Sequence, residues 1–166
     1  KASRKEKQMF GHLMGTALTS THENGMMILD YNVFPGGKQM HILITGANGF
    51  MGRNLAHALR QARPEDHLYL IDIRSTQEER DEAAREADFV FHLAGVNRPQ
   101  APAEFMQGNR DFTQTLLDSL TKHPPVVVTS SIQAALDNPY GQSKRAGENV
   151  VRAYGERTGA PVYIYR

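Results

Sequence analysis

The chain has 166 residues and a formal net charge of +1, from 19 basic and 18 acidic side chains. Such a balance argues against nucleic acid or an anionic membrane surface as the main partner. The absence of cysteine excludes disulfides, thiolate metal sites and thiol catalysis, and suits a reducing, cytoplasmic compartment. The length allows one domain with a substantial core. No apolar run approaches the ~20 residues of a membrane span, and no signal peptide is evident. The seven histidines are scattered without ligand spacing, so no metal site is expected. The first residue is Lys1, which reads as the interior of a longer frame.

Residues 1–39 read as an extension or linker. Lys1–Lys7 is basic and polar, Phe10–Leu29 holds no period of two or 3.6, and Pro35-Gly36-Gly37 breaks the chain. Only Met26–Val33 suggests an edge strand. From Met40 a regular pattern begins. Strands are expected at Ile42–Thr45, Leu68–Ile73, Phe89–Leu93, Val126–Thr129 and Val162–Tyr165. Helices are expected at Gly49–Arg63, Thr76–Ala87, Pro102–Lys122 and Pro139–Arg157. Apolar strands alternating with helices predict an α/β fold, a Rossmann-type doubly wound parallel sheet with helices on both faces. Residues 40–166 would form this domain, cut short after the fifth strand. Right-handed crossovers favour the order 3-2-1-4-5, with a ligand crevice at the carboxyl ends of strands one and four.

Thr45-Gly46-Ala47-Asn48-Gly49-Phe50-Met51-Gly52 joins the first strand to the first helix. Gly46 permits a tight turn, Gly49 lets backbone approach a pyrophosphate, and Gly52 brings the helix close to the sheet. Phosphates would then meet free N–H groups at the positive end of the helix. Asp72 ends the second strand and can accept the ribose hydroxyls of NAD. Arg74 and Arg53 are placed to meet the 2′-phosphate of NADP. Both cofactors stay open on the residues alone.

Tyr140 and Lys144 form a Y-x-x-x-K pair on one helix face, which continues through Gly147, Val151 and Tyr154. Lys144 thus points along an apolar stripe, where a charge is costly. Asn138 is a good N-cap and Pro139 a good first residue, placing Tyr140 near the positive helix end. Dipole and ammonium both favour phenolate, so Tyr140 is expected to act as an acid/base. Ser130 and Ser131 follow the fourth strand, and Ser131 is the better placed to hold a substrate carbonyl. Asn109 lies in step with Phe105 and Phe112 on its helix, either as a satisfied buried amide or as part of the site.

Together, T-G-A-N-G-F-M-G (45–52), D-F-V-F-H-L-A-G (88–95), Asn109, S-S (130–131) and Y-G-Q-S-K (140–144) resemble the extended short-chain dehydrogenase/reductases, the epimerase/dehydratase family acting on nucleotide sugars. H-L-A-G-V-N-R-P (92–99), S-S-I-Q-A (130–134), D-N-P-Y-G-Q-S-K (137–144) and V-Y-I-Y-R (162–166) are similar to the capsular-polysaccharide reductases of UDP-N-acetyl-L-fucosamine synthesis. The nine-residue interval from Ser131 to Tyr140, and the single short helix between Asp72 and Asp88, fit that narrower group.

The resemblance implies that Tyr140 is the proton donor, Lys144 binds the nicotinamide ribose and Ser131 holds the substrate oxygen. It implies a cofactor cradle of Gly46, Asn48, Gly49, Phe50, Met51, Gly52, Asp72, Arg74, Leu93, Ala94 and Gly95, with Tyr140 and Lys144. It favours NADP(H), although Asp72 suits NAD(H). The implied substrate is a 4-keto UDP-sugar, and a homodimer is expected for the longer protein. Alternatives are an epimerase or dehydratase with bound NAD, or a non-catalytic NADP-binding module, which would not need Tyr140 and Lys144. In those reductases a C-terminal zinc cupin follows; nothing similar is seen here, and the segment alone is expected to be inactive.

Overall fold

The computed structural model describes residues 39–166. The expected strand over 26–33 lies outside them. The elements in order are β1 (His41–Thr45), α1 (Phe50–Ala62), β2 (His67–Ile71), α2 (Gln77–Glu86), β3 (Phe89–His92), α3 (Ala103–Met106), a π-helical turn (Gln107–Asp111), α4 (Phe112–Ser119), β4 (Val126–Thr129), a 3-10 turn (Ile132–Ala135), α5 (Pro139–Thr158) and β5 (Val162–Tyr165). No helix among the described residues is long and apolar enough to cross a membrane.

Local chemistry sets the ends of these elements. Pro64 stops α1, because the residue before a proline is pushed out of the helical region, as Arg63 is at φ −140° and ψ 64°. A capping box opens α2, with the Glu79 N–H donating to Thr76 Oγ1 and the Thr76 N–H to Glu79 Oε2. Asn138 Oδ1 accepts the Gly141 N–H at 2.7 Å to open α5, and Gly159, at φ +74°, closes it.

All five strands are parallel, in the order β2-β1-β3-β4-β5. The fold class is as expected, but the order 3-2-1-4-5 is not. The third strand crosses to the far side of β1, and the reversal of strand order falls between β1 and β3. Burial explains the difference. Phe89–His92 is buried along its whole length and takes the centre, whereas His67 and Tyr69 leave β2 suited to an edge. Leu43, Val90, Val126 and Val162 align in register across four strands. On that face they pack against Ala83 and Ala84 of α2, Leu116 and Leu117 of α4, and Val151 and Tyr154 of α5. Ile42 and Ile44 alternate to the opposite face, served by Leu55, Ala56 and Leu59 of α1.

The single helix expected over 102–122 is interrupted by the π-helical turn. Gly108 there packs against Val96; an added Cβ would lie 2.3 Å from Val96 Cγ2. Widening the turn directs Asn109 inward, a common role of π turns near functional sites.

His92 ends β3 and is 1% exposed. Its Nδ1 lies 2.7 Å from Thr45 Oγ1 and its Nε2 2.8 Å from Thr113 Oγ1. Thr113 spends its hydroxyl proton on the Asn109 carbonyl, at 2.8 Å. It must therefore accept from His92 Nε2–H, which leaves Nδ1 to accept from Thr45. Burial, with a smaller contribution from the Lys144 charge, pushes His92 down to about 3.

Folded chains thus bind fewer protons at His92 than unfolded ones between pH 6.5 and about 3. Its contribution to stability is present above this window and is lost as pH falls through it, by up to ~1.4 kcal/mol per pH unit. We expect His92→Gln to lower the urea midpoint near neutrality and to flatten its decline on acidification. Identical slopes for the two proteins would disprove the assignment.

Candidate active site

The carboxyl ends of β1 and β3 meet at backbone distance. Gly46 sits at φ +69°, and a Cβ on it would lie 2.8 Å from the Ala94 nitrogen. Only glycine satisfies both the turn and the approach. Leu93 N–H donates to the Thr45 carbonyl at 3.2 Å, and Ala94 N–H to Thr45 Oγ1 at 3.3 Å. Leu93 and Ala94 therefore lie beside the glycine loop, and Gly95 follows them. Gly52 acts differently from expectation. It packs α1 onto the loop itself, since a Cβ there would meet Gly46 O at 2.3 Å and Ala47 Cα at 2.7 Å.

Gly49 N–H bonds the Gly46 carbonyl at 3.0 Å, and no side chain caps α1. The first-turn N–H groups have no intrahelical partners, which suits them to an anion. Asn48 and Gly49 are exposed there, and Phe50 is 80% exposed. At the end of β2, Asp72 Oδ2 accepts the Asn48 N–H at 2.9 Å and Oδ1 the Ile73 N–H at 2.8 Å. Ile73 is 88% exposed, and Arg74 and Arg53 are exposed. An uncapped helix end, bare apolar side chains and a carboxylate thus share one rim. That rim fits the pyrophosphate, flat base and ribose of a dinucleotide.

The residues expected to act as acid and base lie at the neighbouring strand ends. Lys144 Nζ donates to the Thr129 carbonyl at 2.9 Å, and a Cβ on Gly95 would lie 3.5 Å from the same nitrogen. The ammonium therefore stands between the ends of β3 and β4. Burial lowers its pKa while Glu148 opposes that shift. Tyr140 lies in the first turn of α5, its ring centroid 5.5 Å from that of Phe105. Ser131 Oγ accepts the Gln133 N–H at 3.2 Å, capping the 3-10 turn. A hydroxyl used as an acceptor keeps its own proton to donate. Ser130 has no such freedom, because it donates to Glu148 Oε1 at 2.5 Å.

Asn109 is buried and bridges the two halves. Its Oδ1 accepts the Val96 N–H at 2.9 Å, and its Nδ2 donates to the Val96 carbonyl at 2.8 Å and to Ser143 Oγ at 3.0 Å. Ser143 Oγ in turn donates to the Tyr140 carbonyl at 2.7 Å. Helix α5 can come this close because of Gly147, where a Cβ would sit 2.5 Å from the Asn109 carbonyl oxygen.

The structure therefore brings Gly46–Gly52, Asp72, Leu93–Gly95, Ser131, Tyr140 and Lys144 to one edge of the sheet. The strand order reverses between β1 and β3, not between strands one and four as expected, and ligand crevices of open α/β sheets form at such a reversal. Sequence reasoning passed over Thr45, His92, Thr113, Ser143 and Glu148. For Glu148 a signal existed, since it lies four residues from Lys144 on the same helix face.

Residues 42–166 match the model of the NAD dependent epimerase/dehydratase family. The chain is 45% identical over 130 residues to UDP-2-acetamido-2,6-beta-L-arabino-hexul-4-ose reductase of Pseudomonas aeruginosa, a stretch that covers 76% of this chain and 35% of that protein. It is 30% identical over 133 residues to ceramide reductase of Caulobacter vibrioides, covering 68% of this chain and 42% of the relative. Among solved structures, capsular polysaccharide assembling protein CapF of Staphylococcus aureus aligns at 46% identity and a TM-score of 0.65, over 76% of this chain and 35% of CapF. The chain thus spans well under half the length of these relatives. The family match runs from the glycine strand through the tyrosine–lysine helix to the last residue, and the chain belongs to the NAD dependent epimerase/dehydratase family.

Proposed function

We propose that this chain carries the cofactor cradle and acid/base centre of a reductase that uses NAD(P)H to reduce the 4-keto group of a UDP-sugar, in the synthesis of a bacterial surface polysaccharide. The observation that carries this reading is the placement of Tyr140, Lys144 and Ser131 around the strand ends beside the glycine loop, in a chain 45% identical to a UDP-sugar reductase. Both curated relatives described above are reductases by name, which favours net reduction over epimerisation. The lack of cysteine fits the cytoplasm, where such an enzyme would work.

A nicotinamide dinucleotide supplies the hydride when bound. The first turn of α1 would hold its pyrophosphate, Asp72 a ribose hydroxyl, and Lys144 the nicotinamide ribose. Ser131 donates its free hydroxyl proton to the substrate carbonyl and fixes its direction. Tyr140 then delivers a proton to that oxygen as negative charge develops, a step commonly worth about 10²–10⁴-fold. Phe105 holds the tyrosine ring from one side, so the phenol does not have to be ordered during the reaction.

Gly49→Val should abolish binding of both NADH and NADPH, since its side chain would fill the phosphate approach. The backbone there, at φ −71° and ψ 169°, suits a β-branched residue, and the added Cβ, 3.2 Å from the Gly46 carbonyl oxygen, asks the loop to give by only a few tenths of an ångström, so the fold should persist. We favour NADPH, with the exposed Arg74 meeting the 2′-phosphate. Arg74→Ala should then weaken NADPH alone in fluorescence titrations. Equal losses, or a wild-type preference for NADH, would instead make Asp72 the deciding group.

In the full-length enzyme Tyr140→Phe should reduce turnover by at least ~10²-fold with little change in cofactor affinity, because only proton transfer is lost. Single-turnover reduction of a UDP-4-keto-sugar tests this. A near-normal chemical step in the variant would assign the proton to another group.

A further inference from the structure

Glu148 is an acidic residue buried in the core, at 1% exposure. A buried carboxylate is costly unless paired and hydrogen-bonded. Here four donors meet it. Ser130 Oγ reaches Oε1 at 2.5 Å, Arg166 Nε reaches Oε1 at 2.7 Å and Nη2 reaches Oε2 at 2.5 Å, and Arg152 Nη2 reaches Oε2 at 3.0 Å. Burial opposes its charge, but the hydrogen bonds from Arg166, Ser130 and Arg152 prevail and hold it at about 2.

Lys144 lies one turn earlier on α5, and the two side chains grip consecutive residues at the end of β4. Lys144 bonds the Thr129 carbonyl, and Glu148 accepts the hydroxyl of the next residue, Ser130. Ser131 follows directly. A small polar cavity lies between the pair, with Asn109, Thr113 and His92 also on its wall. The charged groups facing Glu148 are Arg152 and Lys144 from α5 and Arg166 after β5; His92, from β3, is neutral there. Lys144 loses hydration on burial, and Glu148 is the carboxylate acting against that loss.

We propose that Glu148 is a positioning residue of the active site, which keeps the Lys144 ammonium charged despite its burial and fixes the strand end from which Ser131 projects. Its consequence for cofactor binding rests on the reading of Lys144 given above; its electrostatic part does not.

The test compares Glu148→Gln, which keeps the shape but loses the charge, with Glu148→Asp, which keeps the charge and loses a methylene. The Arg152 and Arg166 side chains retain 48% and 42% exposure, so both can turn to water when the carboxylate is neutralised. Should Glu148→Gln alone not fold, the double variant Glu148→Gln/Arg166→Gln replaces it. The first readout is the titration midpoint of Lys144 in the 166-residue chain, from the Cε shift of ¹³C-labelled lysine assigned with Lys144→Arg. Loss of the charge should lower that midpoint by about one pH unit or more, and Glu148→Asp should restore most of it. The second readout is NADPH and NADH affinity against pH, whose alkaline decline should move down with the midpoint. An unchanged midpoint in folded Glu148→Gln overturns the proposal, as does a Glu148→Asp protein as impaired as the glutamine variant. A wild-type chain that binds neither dinucleotide would defeat the cofactor reading, and the lysine midpoints would still decide this one.

Discussion

Neither ring nitrogen of His92 can reach water, so the protein must satisfy both, and the hydroxyls that do so come from Thr45 and Thr113. Much of the site follows from that requirement. Thr45 closes β1 and carries the Ala94 N–H on its remaining lone pair, which holds the chain after β3 against the glycine loop. Thr113 passes its proton to the Asn109 carbonyl and so anchors the π-helical turn. The Asn109 amide then ties Val96 to Ser143, and Ser143 bonds the Tyr140 carbonyl. Each bond nets only ~1 kcal/mol, but leaving a buried partner unmade costs about 1–3 kcal/mol. The chain of bonds therefore acts chiefly as register. Any shift of α5 relative to the sheet would strand several polar groups at once.

How much of this could be read beforehand follows from the range over which each feature acts. The glycine loop, the Asn138 cap and the Tyr140–Lys144 face depend on neighbours within a few residues, and spacing reveals them. Strand order is a competition between distant segments for the sheet centre. Its signal was present in the apolar Phe89–Phe91 stretch and the polar His67 and Tyr69, but alternation alone does not weigh one strand against another. His92 and Glu148 take their meaning from partners 47 and 18 residues away. As letters in a sequence they are an ordinary histidine and an ordinary helical glutamate. The break in the expected helix over 102–122 is intermediate in kind. Gly108-Asn109 is a weak helical dipeptide, yet only Val96 makes the wider turn worthwhile.

Lys144 and Glu148 also show why the chain's near-zero net charge says little about its site. The local problem is to hold a cation where hydration is lost, and a carboxylate one turn away on the same helix solves it without exposing either group. That carboxylate needs cations of its own, and Arg152 and Arg166 supply them from the solvent side. The result is a graded series, charged and wet at the arginines, charged and dry at Glu148, half-buried at Lys144 and neutral at His92.

The roles proposed for Tyr140, Lys144 and Ser131 require only that a carbonyl lie beside Ser131 and Tyr140. Large apolar side chains are exposed on the elements carrying Ser131 and Phe105, namely Ile132, Leu136 and Met106, and the polar Gln133 is exposed among them. The apolar groups can displace water from a reacting carbonyl but cannot distinguish hydroxyl patterns, which takes hydrogen-bonding groups such as an amide. A shared reducing centre of this kind is compatible with relatives as different as a UDP-sugar reductase and a ceramide reductase. Discrimination among such substrates would rest on polar groups, where a buried donor left unpaired by the wrong substrate carries the penalty that selects the right one.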